Sequence, residues 1–323
     1  MVWIHSFEII CYLLTAMLIF DMVRKRDREE GHLFLSAALA GFALELLAVR
    51  LTAIYHYSDA FFISIGPKPY QFPFFGGLMW GGVAVCAGRI AKKIPFSPWM
   101  CALFAGWLVV SMDLLLDVAA IRLDGGFWFW EGRPIHLAIN HHLFMSVVWV
   151  NFLGYLFETP ALIYMNGRRR KGGPTSISRE VLMSLLIGAA AVAVVGILSA
   201  VALFMDSLTD EWFSSLAFIC IWCGVFFKLI TTLAPRRKDL SFRGKVDWVL
   251  FIFWATIYGY CLAGLWALGV IRALPLYGAF GLFLGLMTLA LCLVRIEKEG
   301  ATKCRVPSRL SLIFSLFGIY YVG

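Results

Sequence analysis

Charge is what this 323-residue chain has least of. Asp, Glu, Lys and Arg make up 15% of it, hydrophobic residues make up 61%, and mean hydropathy is +0.82. Soluble domains carry about 25% charged residues, so a water-soluble globular fold is excluded. Histidine is scarce at six, and neither an HEXXH pair nor the repeated histidine boxes of membrane di-iron enzymes occur. No DDxxD-like run is present, which argues against magnesium-dependent diphosphate transfer. No Gly-rich phosphate loop, dinucleotide fingerprint or Ser/His/Asp arrangement stands out. The eight cysteines all fall in or beside apolar runs, so no disulfide framework is indicated. Cys220 and Cys223 form CIWC inside such a run, where a thiolate is disfavoured, and they read as two buried small residues.

What the chain has instead is long apolar runs. A helix needs about 20 apolar residues to cross a hydrocarbon core. Nine runs qualify, at 3–23, 33–53, 73–91, 98–121, 143–165, 181–205, 212–233, 247–271 and 275–295, and a shorter tenth covers 308–323. The expectation is an all-α polytopic membrane protein: a bundle of nine to ten transmembrane helices in one domain over 1–323. The loops after the odd-numbered runs, with their flanking helix ends, hold 22 of the 28 Lys and Arg residues. That alternation is the positive-inside pattern. It places the N-terminus outside and the basic loops in the cytoplasm of a multi-pass cell-membrane protein. It also accounts for the net charge of +8 without a nucleic-acid partner. The basic turn Arg24–Arg28 follows the first run rather than preceding it, unlike a cleavable signal peptide.

The stretch Ser111–Trp130, SMDLLLDVAAIRLDGGFWFW, stands apart. Asp113 and Asp117 are one helical turn apart and share a face. A carboxylate among lipid tails costs roughly 2.5–3.5 kcal/mol, so two on one face imply protein or water beside them. Glu45 on the second run and Asn151, Tyr155 and Glu158 on the fifth add further polar positions. On the second run, Gly41, Glu45, Thr52 and His56 fall on one helical face at 100° per residue. Counted from the outer ends of their runs, Glu45, Asp113 and Asn151 are each eight residues in, roughly 12 Å deep at helical rise. Phe127–Trp130 suits either an interfacial aromatic belt or a rim over a pocket. His136, His141 and His142 sit together in the same loop and read as interfacial or rim residues, with no metal expected. Run 3 is rich in glycine (Gly76, Gly77, Gly81, Gly82), which permits close helix packing. Residues 33–165 thus hold the polar pocket, and 181–323 read mainly as scaffold helices.

Such a pocket offers carboxyls, an amide and aromatic rings, with no cofactor indicated. A carboxyl in a low-dielectric surrounding keeps its proton more readily and can act as a general acid. Aromatic faces attract cations. Together they suit protonation of an alkene and capture of the carbocation by water, on a lipophilic substrate reached from the membrane. A transporter or lipid-binding protein that uses the same acids to relay protons or hold a substrate is the alternative. The paired repeats and broken helices common in transporters are not evident.

Glu45, the Tyr55-His56-Tyr57 segment, Asp113 and Asp117, Gly126-Phe127-Trp128-Phe129-Trp130 and Asn151-Phe152-Leu153-Gly154-Tyr155 occur in an order and spacing that resembles a known family. These are the integral-membrane carotenoid biosynthesis proteins that include the carotenoid 1′,2′-hydratases and bisanhydrobacterioruberin hydratase. The likeness covers roughly residues 35–165. It implies cofactor-free hydration of a terminal C=C of an acyclic carotenoid, with other carotenoid enzymes as protein partners. It also implies that Asp113 or Glu45 protonates the alkene, Asp117 or Asn151 positions water, and Trp128 and Trp130 shield the cation. Tyr155, Tyr55 and His56 complete the expected substrate-binding set. The chain departs from the family pattern at Met145–Val148 and at Asp117-Val118, and its His-rich stretch 136–142 is its own.

Overall fold

A computed structural model describes residues 2–52, 55–132, 134–169, 176–242 and 245–296. The tenth run, 308–323, and most of the basic residues after run 9 lie outside the described residues. Helices dominate: α1 (Val2–Lys25), α2 (Arg28–Leu51), α3 (Phe74–Ala91), α4 (Pro98–Ala120), α5 (Trp149–Arg168), α6 (Ile177–Leu208), α7 (Trp212–Leu233), α8 (Trp248–Ala267), the single turn α9 (Val270–Ala273) and α10 (Pro275–Leu293). Eight of them are long and apolar enough to cross a membrane. The protein is an all-α polytopic membrane protein. α5 has 20 residues, which is about 30 Å of helix, but its polar stripe lowers its hydropathy below that of the other eight.

The helix starts are written locally. Asp27 caps α2 by accepting from the amide of Glu30, and Glu29 and Glu30 occupy its first turn, where acidic groups complement the helix dipole. Ser97 caps α4 ahead of Pro98 at its first position, and Asp247 caps α8.

α4 is the axis of the bundle, with α3, α5, α7, α8 and α10 against it. Phe104, Trp107, Leu108 and Leu115 on α4 are fully buried. Glycines set the closest approaches. A Cβ at Gly106 would lie 2.8 Å from the Pro160 ring of α5, and one at Gly77 would lie 2.4 Å from Phe42 of α2. α6 and α7 are peripheral and show large apolar side chains outward, among them Leu182, Phe204 and Phe227. Cys220 and Cys223 are exposed on α7 rather than buried. A small apolar side chain loses nothing by facing lipid, so hydrophobicity alone does not separate the two surroundings.

Short strands tie the loops together at one end of the bundle. β1 (Tyr55–Tyr57) pairs antiparallel with β4 (Trp128–Trp130), joining the α2–α3 and α4–α5 connections. β2 (Ser64–Ile65) pairs with β3 (Phe72–Pro73) directly before α3. β5 (Leu143–Phe144) and β6 (Val147–Val148) form a hairpin. At the opposite end, β7 (Leu240–Ser241) pairs with β8 (Arg295–Ile296).

The hairpin corrects the expected start of the fifth span. Residues 143–148 are not helical, because Met145 and Ser146 have φ of 49° and 74° and form a two-residue turn. Sequence signals for that turn type are Asn-Gly or Asp-Gly, which are absent here. Tertiary contacts hold it instead: Arg122 donates to the Met145 carbonyl (2.9 Å), and Ser146 Oγ accepts from the amide of His136 (2.7 Å). Asn151 is therefore in the first turn of α5, and the equal-depth argument for it fails. His56 likewise lies on β1, beyond the end of α2, and does not share a helical face with Gly41 and Glu45.

The other end of the bundle gathers charge. Arg89 of α3, with only 9% of its surface exposed, is ion-paired to Glu30 (2.6 Å), Asp21 (2.9 Å) and Asp247 (3.3 Å). Lys25 bridges Asp21 (2.6 Å) and Asp247 (3.4 Å). Lys93 donates to the Cys292 carbonyl at the end of α10 (2.5 Å). Arg89 is thus more than a topology-setting cation: it joins the ends of α1, α2, α3 and α8.

Candidate active site

α4 carries Asp113 and Asp117 on one face because they are four residues apart. Asp117 Oδ1 accepts from Trp128 Nε1 at 3.0 Å, and Oδ2 accepts from Asn151 Nδ2 at 2.6 Å. Both oxygens are committed, so Asp117 anchors β4 and α5 to α4. Asp113 lies one turn deeper, 5% exposed, and its Oδ2 makes no hydrogen bond. A buried polar atom without a partner is uncommon and asks for an explanation.

Across from Asp113, Glu45 of α2 accepts from Tyr57 Oη (2.8 Å), which accepts from Tyr55 Oη (2.8 Å). Strand alternation sends Tyr55 and Tyr57 to one side of β1 and His56 to the other. Burial, reinforced by the nearby Glu45 carboxyl, pushes both phenols well above their usual range and keeps them as O–H donors.

Asp113, Glu45, Tyr55, Tyr57, Trp128 and Tyr155 line a cavity of about 90 Å³, with Phe72, Phe75, Met79, Trp80 and Ile257 forming much of the apolar wall. At about 10–15 Å³ per water, that space holds several waters. Phe127 is fully buried and Trp128 is 8% exposed. Trp128 lines the cavity, Phe127 packs behind it against Phe7 and Phe61 with ring centroids 5.3 Å and 6.2 Å away, and Phe129 is exposed.

Of the residues expected from sequence, Glu45, Asp113, Trp128, Tyr155 and Tyr55 meet at this cavity. Asp117 and Asn151 stand one layer behind it. Trp130 packs on Tyr55 with ring centroids 5.4 Å apart and does not line the space. His56 faces Glu131 (3.4 Å) on the far side of β1. Sequence reasoning left out Tyr57 and Trp80. Strand alternation from Tyr55 carries the first. The second has a signal in Gly41, where a Cβ would fall 2.3 Å from the Trp80 ring, so a glycine on α2 makes room for the indole. Ile257 of α8 also reaches the wall, so the second half of the chain contributes to the site.

A second cavity of about 160 Å³ lies on the other side of α4, between Leu114, Phe144, Trp149, Phe218, Trp222 and Phe280. It holds no ionisable side chain except Cys223 and offers nothing for acid–base chemistry. Comparison of the chain with protein-family models, with curated proteins and with solved structures finds no match to any of them.

Proposed function

We propose that this protein is a membrane hydratase that adds water to a terminal C=C of an acyclic carotenoid or related isoprenoid, by acid catalysis and without a cofactor. The observation that carries the reading is the Asp113 carboxyl. It has an unpartnered oxygen on the wall of an otherwise aromatic and aliphatic cavity, with a second carboxyl, Glu45, across from it. The order of Glu45, Asp113, Asp117 and Trp128, which resembles that of the carotenoid hydratases, supports the same reaction.

In this reading protonated Asp113 gives its proton to the less substituted alkene carbon, leaving a tertiary cation at the other. The faces of Trp128, Trp80 and Tyr155 stabilise that cation. Water held near Glu45 and Tyr57 attacks it, and its surplus proton passes to a carboxylate, so the net addition is H and OH. Asp117 accepts from Trp128 and Asn151 and is not part of the cavity wall, so the water is placed nearer Glu45 and Tyr57. Asp117 positions the Trp128 ring over the cavity.

The test is expression in a bacterial host that makes lycopene or an acyclic C50 carotenoid, with pigments separated and weighed by mass spectrometry. The expected result is a more polar pigment heavier by one water. Unchanged pigments from well-expressed, membrane-inserted protein would count against hydration of these substrates.

Glu158 favours one other reading. It is 2% exposed, its Oε1 makes no hydrogen bond, and it lies deeper along α5 than Asn151 and Tyr155. A series of acids at successive depths suits a proton-coupled transporter. Uptake of a substrate that collapses with the proton gradient would favour this reading over the hydratase.

The orientation proposed with the function puts the Arg89 end in the cytoplasm of a cell membrane, as the basic loops require. An alkaline phosphatase reporter fused after Asp210 is expected to be active and one after Lys238 inactive. The reverse pattern would invert the topology.

A further inference from the structure

We propose that the end of the molecule bearing β1 and β4 carries a binding site for a divalent transition-metal ion such as Zn²⁺, built by His141, His142 and Asp210. One ring nitrogen of each histidine and a carboxylate oxygen of Asp210 all lie within 4.8 Å of one another. His141 Nε2 is buried and makes no hydrogen bond, and its nearest acid is Asp210 Oδ2 at 3.8 Å. A buried ring nitrogen without a hydrogen-bond partner is free to ligate a metal ion. Two imidazoles and a carboxylate are a common zinc set, with a fourth position left for water.

The ring positions are over-determined. His141 stacks on Trp212 with centroids 4.4 Å apart and an interplanar angle of 2°. Glu211 Oε2 lies 2.9 Å from Nδ1 of His142, the kind of carboxylate–histidine contact that orients a ligand from behind. Asp210 and Glu211 both adopt left-handed backbone, with φ of 50° and 63°, in the tight connection between α6 and α7. His136, which the sequence places with the other two, is not part of the set: its Nδ1 accepts from the amide of Ala138.

A tetrahedral ion with bonds of about 2.0–2.1 Å holds its ligand atoms about 3.3 Å apart. The set must close by about 1.5 Å at its widest, and Asp210, which is exposed, has the freedom to do so. The ligands come from the α4–α5 loop and the α6–α7 connection, so the ion would clamp two segments separated by 68 positions, counted from His142 to Asp210. This site is independent of the catalytic reading.

The test uses the full chain in detergent, purified through a tag without histidine and stripped with EDTA. Equilibrium dialysis is expected to give one Zn²⁺ per chain, and Co²⁺ to give the strong visible absorption of a four-coordinate site. The His141→Ala/His142→Ala double variant should lose stoichiometric binding, and Asp210→Asn should bind at least about tenfold more weakly. Zn²⁺ should raise the apparent melting temperature of the wild type but not of the double variant. The metal-free melting of both proteins serves as the folding control. No stoichiometric binding by the wild type, or equal binding by the double variant, would overturn the proposal.

Discussion

Asp113→Asn is expected to lower hydrated-pigment formation by about 10²- to 10⁴-fold, the span a general acid ordinarily contributes. The same substitution should leave the melting behaviour of the purified protein where it was. The two outcomes follow from one feature. Asp113 Oδ2 has no hydrogen-bond partner, so replacing the carboxyl with an amide of the same shape breaks no contact through that atom. It does remove the carboxyl to which the proposed proton transfer is assigned. Glu45→Gln is a different case. The amide oxygen can still accept from Tyr57, so the Tyr55–Tyr57–Glu45 chain survives, and what is lost is the capacity to take up the proton of the attacking water. Pigment analysis of both variants at matched membrane abundance separates the roles. If Asp113→Asn forms product at the wild-type rate, the assigned acid is wrong. If only Glu45→Gln is inactive, the proton donor and the water-facing group exchange places. Asp117→Asn keeps its bond from Trp128 through the remaining oxygen, and Asn151 can turn its amide over to meet the new NH₂. It should cost less activity than Asp113→Asn, as suits a positioning residue.

Arg89→Met is expected to be the most destabilising single substitution at the charged end, by about 3–5 kcal/mol. Arg89 is buried and faces three carboxylates, two of them buried: Asp21 at 2% and Glu30 at 8% exposure. With Arg89 present, three cations (Arg24, Lys25, Arg89) meet three acids (Asp21, Glu30, Asp247). Without it, Glu30 keeps no cation among these ion pairs and remains a buried, uncompensated charge. Arg89 also holds Glu30 through two nitrogens, Nε at 2.9 Å and one terminal NH₂ at 2.6 Å. Lysine carries the charge but not the fork, so Arg89→Lys should fall between wild type and Arg89→Met. The measurement is the fraction of protein that survives heating in detergent and still elutes as a monodisperse peak. Adding Glu30→Gln to Arg89→Met should recover part of the loss by removing the orphaned charge. Wild-type heat resistance in Arg89→Met would mean that the cluster is solvated enough to contribute little.

The spans themselves were legible from composition. In lipid every backbone polar group must be satisfied within its own segment, so a long apolar run has one local solution, the helix. The same locality made Asp113 and Asp117 readable as neighbours, since four residues along a helix return the chain to one face. Glu45 and Tyr155 could be picked out because an ionisable or phenolic group within an apolar run carries a desolvation cost that needs a reason.

What the tertiary structure alone decided joins residues far apart in the chain. The β1–β4 pairing places Tyr57 opposite Trp128 and brings both to the cavity. The Met145-Ser146 turn, held by Arg122 and His136, moves the start of α5 and sets Asn151 against Asp117. Trp80 enters the wall only because Gly41 leaves space on another helix. Arg89, read in sequence as one more basic residue, becomes the hub of an ion network across α1, α2, α3 and α8. Cys220 and Cys223 face outward, since an apolar residue in a membrane protein carries no signal of whether protein or lipid is its neighbour. Sequence determines the membrane fold and the identity of the polar groups, because both rest on transfer energies paid residue by residue. Which groups meet, and which atom is left unpartnered to do chemistry, depends on packing between helices and loops, which no local window of sequence contains.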